Sequence, residues 1–250
     1  MLNLNIFSLT NFLKVFPLCL LSSGTFVAGW YFLTKPNGSD GEQVIATIVA
    51  PVLLILFLFC YALQNHVIAT EIIANEEDAE PLTIQESLAE AKSFLPASVG
   101  VILTFLVMKE FIIPAVGAMA GGIFQFSING YDFNILTLPM NLLMILWMFL
   151  ATAEINSIGA SFTDTIKYTV GFVFTNLLKC VAAIAFILFC WFVWGYTVYF
   201  TVGGSSITAL SIQILVFAYL FGLVNTFVTS LFIHNVSEED LTPDSELYEE

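Results

Sequence analysis

Six apolar blocks, each about as long as a membrane crossing requires, constrain this chain more than any other feature. They run from about Val15 to Leu33, Val44 to Ala62, Phe94 to Gly117, Ile135 to Ala153, Val170 to Tyr196 and Ile207 to Phe232. A helix needs about 20 apolar residues to cross ~30 Å of hydrocarbon, and continuous apolar runs of that length read as spans rather than as core segments of a soluble domain. Composition agrees: 58% of the 250 residues are hydrophobic and 10% are charged, with mean hydropathy +0.91, whereas soluble domains carry about 25% charged residues. The expected fold is an all-α polytopic membrane bundle of about six helices.

The polar stretches organise the blocks into hairpins. Trp30 and Tyr31 close the first block as an interfacial belt, and the turn-rich Lys35 to Gly41 follows. An acidic segment spans 71–92 and contains Glu71, Glu76, Glu77, Asp78, Glu80, Glu86 and Glu90; within it Leu82 to Lys92 has the spacing of an amphipathic surface helix. The third block is the irregular one, interrupted by Lys109, Glu110 and Pro114 and followed by the helix-weak Gly117 to Gly122 and the turn signal Asn129-Gly130. Residues 1–235 read as one transmembrane domain. The acidic tail, 236–250, reads as a solvated disordered end or as a docking strip for a basic partner.

A short pattern recurs before each pair of blocks. Ser8 to Lys14 matches Ser161 to Lys167 position for position, and Ser87 to Lys92 fits with one residue fewer, so the chain reads as three hairpins, each led in by a short amphipathic helix. In these segments the chain resembles a loosely defined class of bacterial inner-membrane proteins, the uncharacterised six-span families and the membrane domain attached to some glycerophosphodiester phosphodiesterases. The resemblance implies an architecture and a bacterial membrane, and it implies no function. The chain departs from such proteins in having no Arg, few cytoplasmic basic residues and no Pro-Gly step in its spans.

With six spans, Lys14, Lys92 and Lys167 share the side of both termini, and Lys35 falls on the other, which favours cytoplasmic ends. Trp194, Tyr196 and Tyr199 then join Trp30 and Tyr31 at the outer interface. The first thirteen residues carry no positive charge and no clean cleavage site follows, so the first block is expected to be a retained span.

Charge and motifs exclude several functions. A net charge of -14 leaves no basic stripe for nucleic acid and no polybasic patch for anionic lipid heads. Cys19, Cys60, Cys180 and Cys190 fall inside apolar blocks without a CxxC or a companion His, and read as small packing residues. His66 and His234 lie near span ends, which argues against haem ligation within the bundle. No metalloprotease, nucleophile-elbow, phosphate-loop or dinucleotide motif is present. The expectation is a non-enzyme without metal or cofactor.

Lys109 and Glu110 are the sharpest candidates for a site, because an ionisable residue within a span costs roughly 2.5–3.5 kcal/mol on insertion scales. Pro114 one turn later frees a backbone carbonyl beside them. On the plainer reading the third block ends early and Lys109 reaches the interface. Lys179, preceded by Asn176, either marks the cytoplasmic start of its span or pairs with Glu110 inside the bundle. Gly117 to Gly121 and Ser23-Gly24 to Ala28 permit close helix approach, and Asn225, Thr226, Thr229 and Ser230 form a polar stripe suited to interhelical hydrogen bonding or to lining a pathway. Two functions stay open. The first is a membrane scaffold or accessory subunit whose acidic cytoplasmic face, the 71–92 loop and the tail, docks a protein partner; the alternative is a small ion- or proton-linked transporter using Lys109 and Glu110.

Overall fold

The computed structural model describes residues 9–34, 40–76, 82–119, 125–128, 131–134, 136–201 and 207–235. Over these the chain forms α1 (Leu9–Thr34), α2 (Asp40–Glu76), α3 (Ile84–Val107), one π-helical turn (Met108–Ile112), α4 (Ile113–Met119), β1 (Gln125–Ile128), β2 (Tyr131–Asn134), α5 (Thr137–Ile158), α6 (Phe162–Thr175), α7 (Leu177–Thr201) and α8 (Ile207–Ile233). Among the described residues, five stretches are long and apolar enough to cross a membrane: Thr47–Asn75, Gln85–Met119, Thr137–Ile158, Leu177–Thr201 and Ser211–Ile233. The 26-residue α1 adds a shorter described apolar stretch, Val15–Gly29. The protein is an all-α, multi-pass membrane bundle; the acidic tail and most of the Lys35 loop lie outside the described residues.

Contacts along the helices fix their directions. Ser22 meets Gln64 and Phe26 meets Phe57, so α1 and α2 are antiparallel. Trp194 against Phe217 and Phe186 against Phe227 make α7 and α8 antiparallel as well. The near end of the bundle is therefore where α1 starts, α2 ends, α3 starts, α5 ends and α8 ends. Burial is concentrated in that half: Cys60 to Ala69 on α2, Phe149 to Asn156 on α5, and most of Val224 to Ile233 on α8 are buried. Farther along, Ile48, Val52 and Ile55 of α2 and Leu103, Leu106 and Val107 of α3 are exposed, as are Phe189 and Phe192 of α7. Apolar side chains pointing outward from long apolar helices are the surface that acyl chains solvate. All four cysteines are free and buried, three of them in the main core cluster.

Several sequence expectations take a different form in three dimensions. The block that ends at Ala62 is the first part of a 37-residue helix that continues to Glu76, because Val67, Ile68, Ala69, Ile72 and Ala74 resume a buried face after three polar residues. The amphipathic segment from Leu82 is no separate helix; Thr83 caps α3 through a reciprocal capping box with Glu86, and the helix runs straight on into the span. The lead-in at Ser161 does form its own helix: Ser161 caps α6 by accepting from the Asp164 amide, and the chain breaks at Asn176 before α7. The hairpin of β1 and β2, with Ile128 opposite Tyr131, was not foreseen beyond its turn signal.

α5 ends at Gly159, whose backbone sits in the left-handed region (φ 70°) and whose amide donates to the Ile155 carbonyl at 3.1 Å. An added β-carbon would lie 3.3 Å from Cε1 of Phe94 on α3. Gly159→Ala is thus expected to cost about 1–2 kcal/mol from the left-handed backbone alone, with the crowded ring adding to it. A lowered midpoint of thermal unfolding in detergent, read by tryptophan fluorescence, checks this; an unchanged midpoint would contradict it.

Candidate polar site in the membrane bundle

The residues singled out in the sequence do not converge. Lys109 and Glu110 lie in the π-helical turn, 41% and 51% exposed, and pair with each other at 3.4 Å. The turn has a local cause: proline at 114 has no N–H for the Glu110 carbonyl four residues back, and the Ile113 amide reaches past it to the Met108 carbonyl. Lys179 stands in the first turn of α7, at the near end, where its ammonium donates to Asn176 Oδ1 at 3.4 Å and to Asn235 Oδ1. Glu110 and Lys179 thus have different partners. Asn225 is buried in α8, and its amide nitrogen has no hydrogen-bond partner. An adjacent, half-exposed ion pair contributes about 0–1 kcal/mol, so Lys109→Met combined with Glu110→Gln is expected to leave the unfolding midpoint within the range of that small term. A large loss would mean that the pair supports the helix through a contact the bundle does not otherwise reveal.

The interior of the near half holds polar groups that sequence reasoning assigned to loops and span ends. Gln64, Asn65 and His66 follow one another on α2, all buried; Thr152, Glu154 and Asn156 alternate on α5, also buried. Hydroxyls there are easily satisfied: Thr152, Thr165 and Thr169 donate to backbone carbonyls four residues earlier in the chain. Amides and ionisable groups are not. Among the buried atoms without a hydrogen bond are Gln64 Nε2, Asn65 Oδ1, both ring nitrogens of His66, Glu154 Oε2 and Asn156 Oδ1. His66 Nε2 lies 3.3 Å from Glu90 Oε2 of α3, outside hydrogen-bond alignment, with the ring against Phe94 at 5.2 Å. Glu90 is half-exposed, which places His66 just beneath the near-end surface.

Helix geometry divides this set. At about 100° per residue, Thr152 and Asn156 lie about 40° apart on α5, whereas Glu154 lies about 160° from each. The first face meets α2, as the Tyr61 to Thr152 contact of 3.3 Å shows. Glu154 faces the other way, where the charge of Asp164 on α6 acts on it. Its side chain is 1% exposed, so a carboxylate is enclosed between apolar helices with an acid as its charged neighbour.

Among the described residues no three His, Cys, Asp or Glu side chains come together as a metal centre. Compared with known protein families, curated proteins and solved structures, the chain matches none. Fold and interior together define a polytopic α-helical membrane protein with a polar core in one half of its bundle.

Proposed function

We propose that the protein is a small proton- or ion-linked transporter, or the membrane subunit of one, in a bacterial inner membrane with both termini cytoplasmic. One observation carries this reading: Glu154 is fully enclosed and one of its oxygens has no hydrogen bond. Ionisable residues inside a span are costly and characteristically serve ion or proton pathways. A scaffold that only packs and docks has no use for such a group, and an apolar residue there would pack at lower cost. Lys109 and Glu110, half-exposed and paired with each other, are less suited to the role than Glu154.

Reconstitution tests this. The purified chain in proteoliposomes, with a trapped pH-sensitive dye and an imposed potential, is expected to carry proton flux above that of empty vesicles. If flux equals the empty-vesicle value, while deleting residues 236–250 abolishes co-purification of a stoichiometric partner from native membranes, the accessory-subunit reading replaces this one.

A further inference from the structure

The face of α5 opposite Glu154 carries a different kind of site. Tyr61 on α2 and Thr152 on α5 touch through their hydroxyls at 3.3 Å. Thr152 gives its proton to the Met148 and Phe149 carbonyls, at 2.9 and 3.0 Å, so Tyr61 is the donor and Thr152 the acceptor between them. One turn farther along each helix stands an asparagine. Asn65 donates its amide to the Tyr61 carbonyl at 2.8 Å, and Asn156 donates to the Thr152 carbonyl at 2.6 Å. A backbone carbonyl only accepts, so neither side-chain amide can be turned over, and the oxygen of each is committed to pointing away from its own helix. Both oxygens are buried and neither has a partner. His66, the residue after Asn65, lies within reach of the Asn156 backbone, so the two helices keep the same register here as at Tyr61 and Thr152 and run parallel.

Two buried carbonyl oxygens without donors, on facing helices one turn beyond the Tyr61–Thr152 contact, make this stretch of the α2–α5 seam rich in acceptors. An anion is repelled by it. A divalent ion would demand carboxylate ligands, and none of these four residues is acidic. We propose that Asn65, Asn156 and Tyr61 ligate a small monovalent cation between α2 and α5. This deepens the transport reading by naming the ion class, but it stands on other atoms and another face of α5 than Glu154.

The test uses the purified full chain in detergent, unfolded thermally in potassium, sodium, ammonium or choline chloride at one ionic strength. The expected result is a saturable rise in midpoint with at least one of the three small cations over choline. Asn65→Leu and Asn156→Leu are each expected to abolish the rise, while Asn156→Asp, which keeps the size and adds a negative ligand, shifts saturation to at least about tenfold lower cation concentration, as added ligand charge does at other oxygen sites. Should the Leu variants not fold, the Asp variant still decides. Equal midpoints in all four salts would mean that water alone holds the pair, and would overturn the proposal; so would a rise that survives in both Leu variants, or saturation unmoved in the Asp variant. A cation-dependent rise in a protein without flux leaves the site standing and removes the transport reading; flux without the rise does the reverse.

Discussion

Glu154→Gln is expected to reduce proton flux through the reconstituted protein by up to about a hundredfold while leaving the fold intact. The two side chains have nearly the same shape, so packing around α5 and α6 is kept, and the neutral amide avoids the cost of a charge in lipid. What is lost is the ability to bind and release a proton inside the bundle. Enclosing an uncompensated charge costs about 2.5–3.5 kcal/mol at the centre of a span and less towards its end, where Glu154 stands four residues before α5 closes at Ile158; at 1.4 kcal/mol per decade the central value is a factor near a hundred, the upper bound on the rate lost if a proton must cross without the carboxylate. Stability should be unchanged or higher, because the amide keeps the size of the buried side chain and removes the cost of enclosing an ionisable group. Dye-monitored flux and the thermal midpoint, measured together, separate the outcomes. Flux equal to the wild type would remove Glu154 from the pathway; a collapsed midpoint would show that the carboxylate holds the helices together instead.

The bundle was legible in the sequence because lipid imposes a simple rule on composition, and apolar blocks reveal it without knowledge of tertiary contacts. The site was less so, for the same reason. A block boundary is drawn where polarity begins, and Gln64, Asn65 and His66 fall just past the second block, whereas they are buried within α2, which runs on to Glu76. The missed signal was the apolar pattern that resumes at Val67 and repeats through Ile68, Ile72 and Ala74 at helical spacing. Glu154 likewise lies one residue past the fourth apolar block, which ends at Ala153. Only Thr152, Glu154 and Asn156 alternating after an unbroken apolar run hinted otherwise, and which face of α5 each occupies depends on where α2 and α6 pack. Lys109 and Glu110 drew attention because they interrupt a block, yet Pro114 and the π-helical turn let the helix hold them outward. Asn225 was singled out within a polar stripe, and it is buried with an unpartnered amide.

Phe232→Ala should give the largest loss of stability in the bundle, about 3 kcal/mol. The ring is 0% exposed and meets two aromatic rings of α6, Tyr168 edge-on at 6.2 Å and Phe172 at 5.2 Å. In a soluble core, Phe→Ala costs about 3–5 kcal/mol, part of it transfer of the ring to water. A span that separates within lipid never exposes its ring to water, so the packing and cavity part remains, which places the expected cost at the low end. The loss should also be local. α6 is short, lies between two breaks at Ser161 and Asn176, and leaves Ile166, Val170 and Phe174 exposed on its other side, so its attachment to α8 rests heavily on these rings. Hydrogen exchange should therefore accelerate over 162–175 before it does in α2 or α5. Phe172→Ala in the same background should add less than it does alone, by about 0.5–1.5 kcal/mol, the coupling an aromatic pair carries. Additive losses would mean that the two rings stabilise separate contacts. Because α6 covers the face of α5 that bears Glu154, loosening it should also admit water to the carboxylate, and proton flux in Phe232→Ala should rise where in Glu154→Gln it falls.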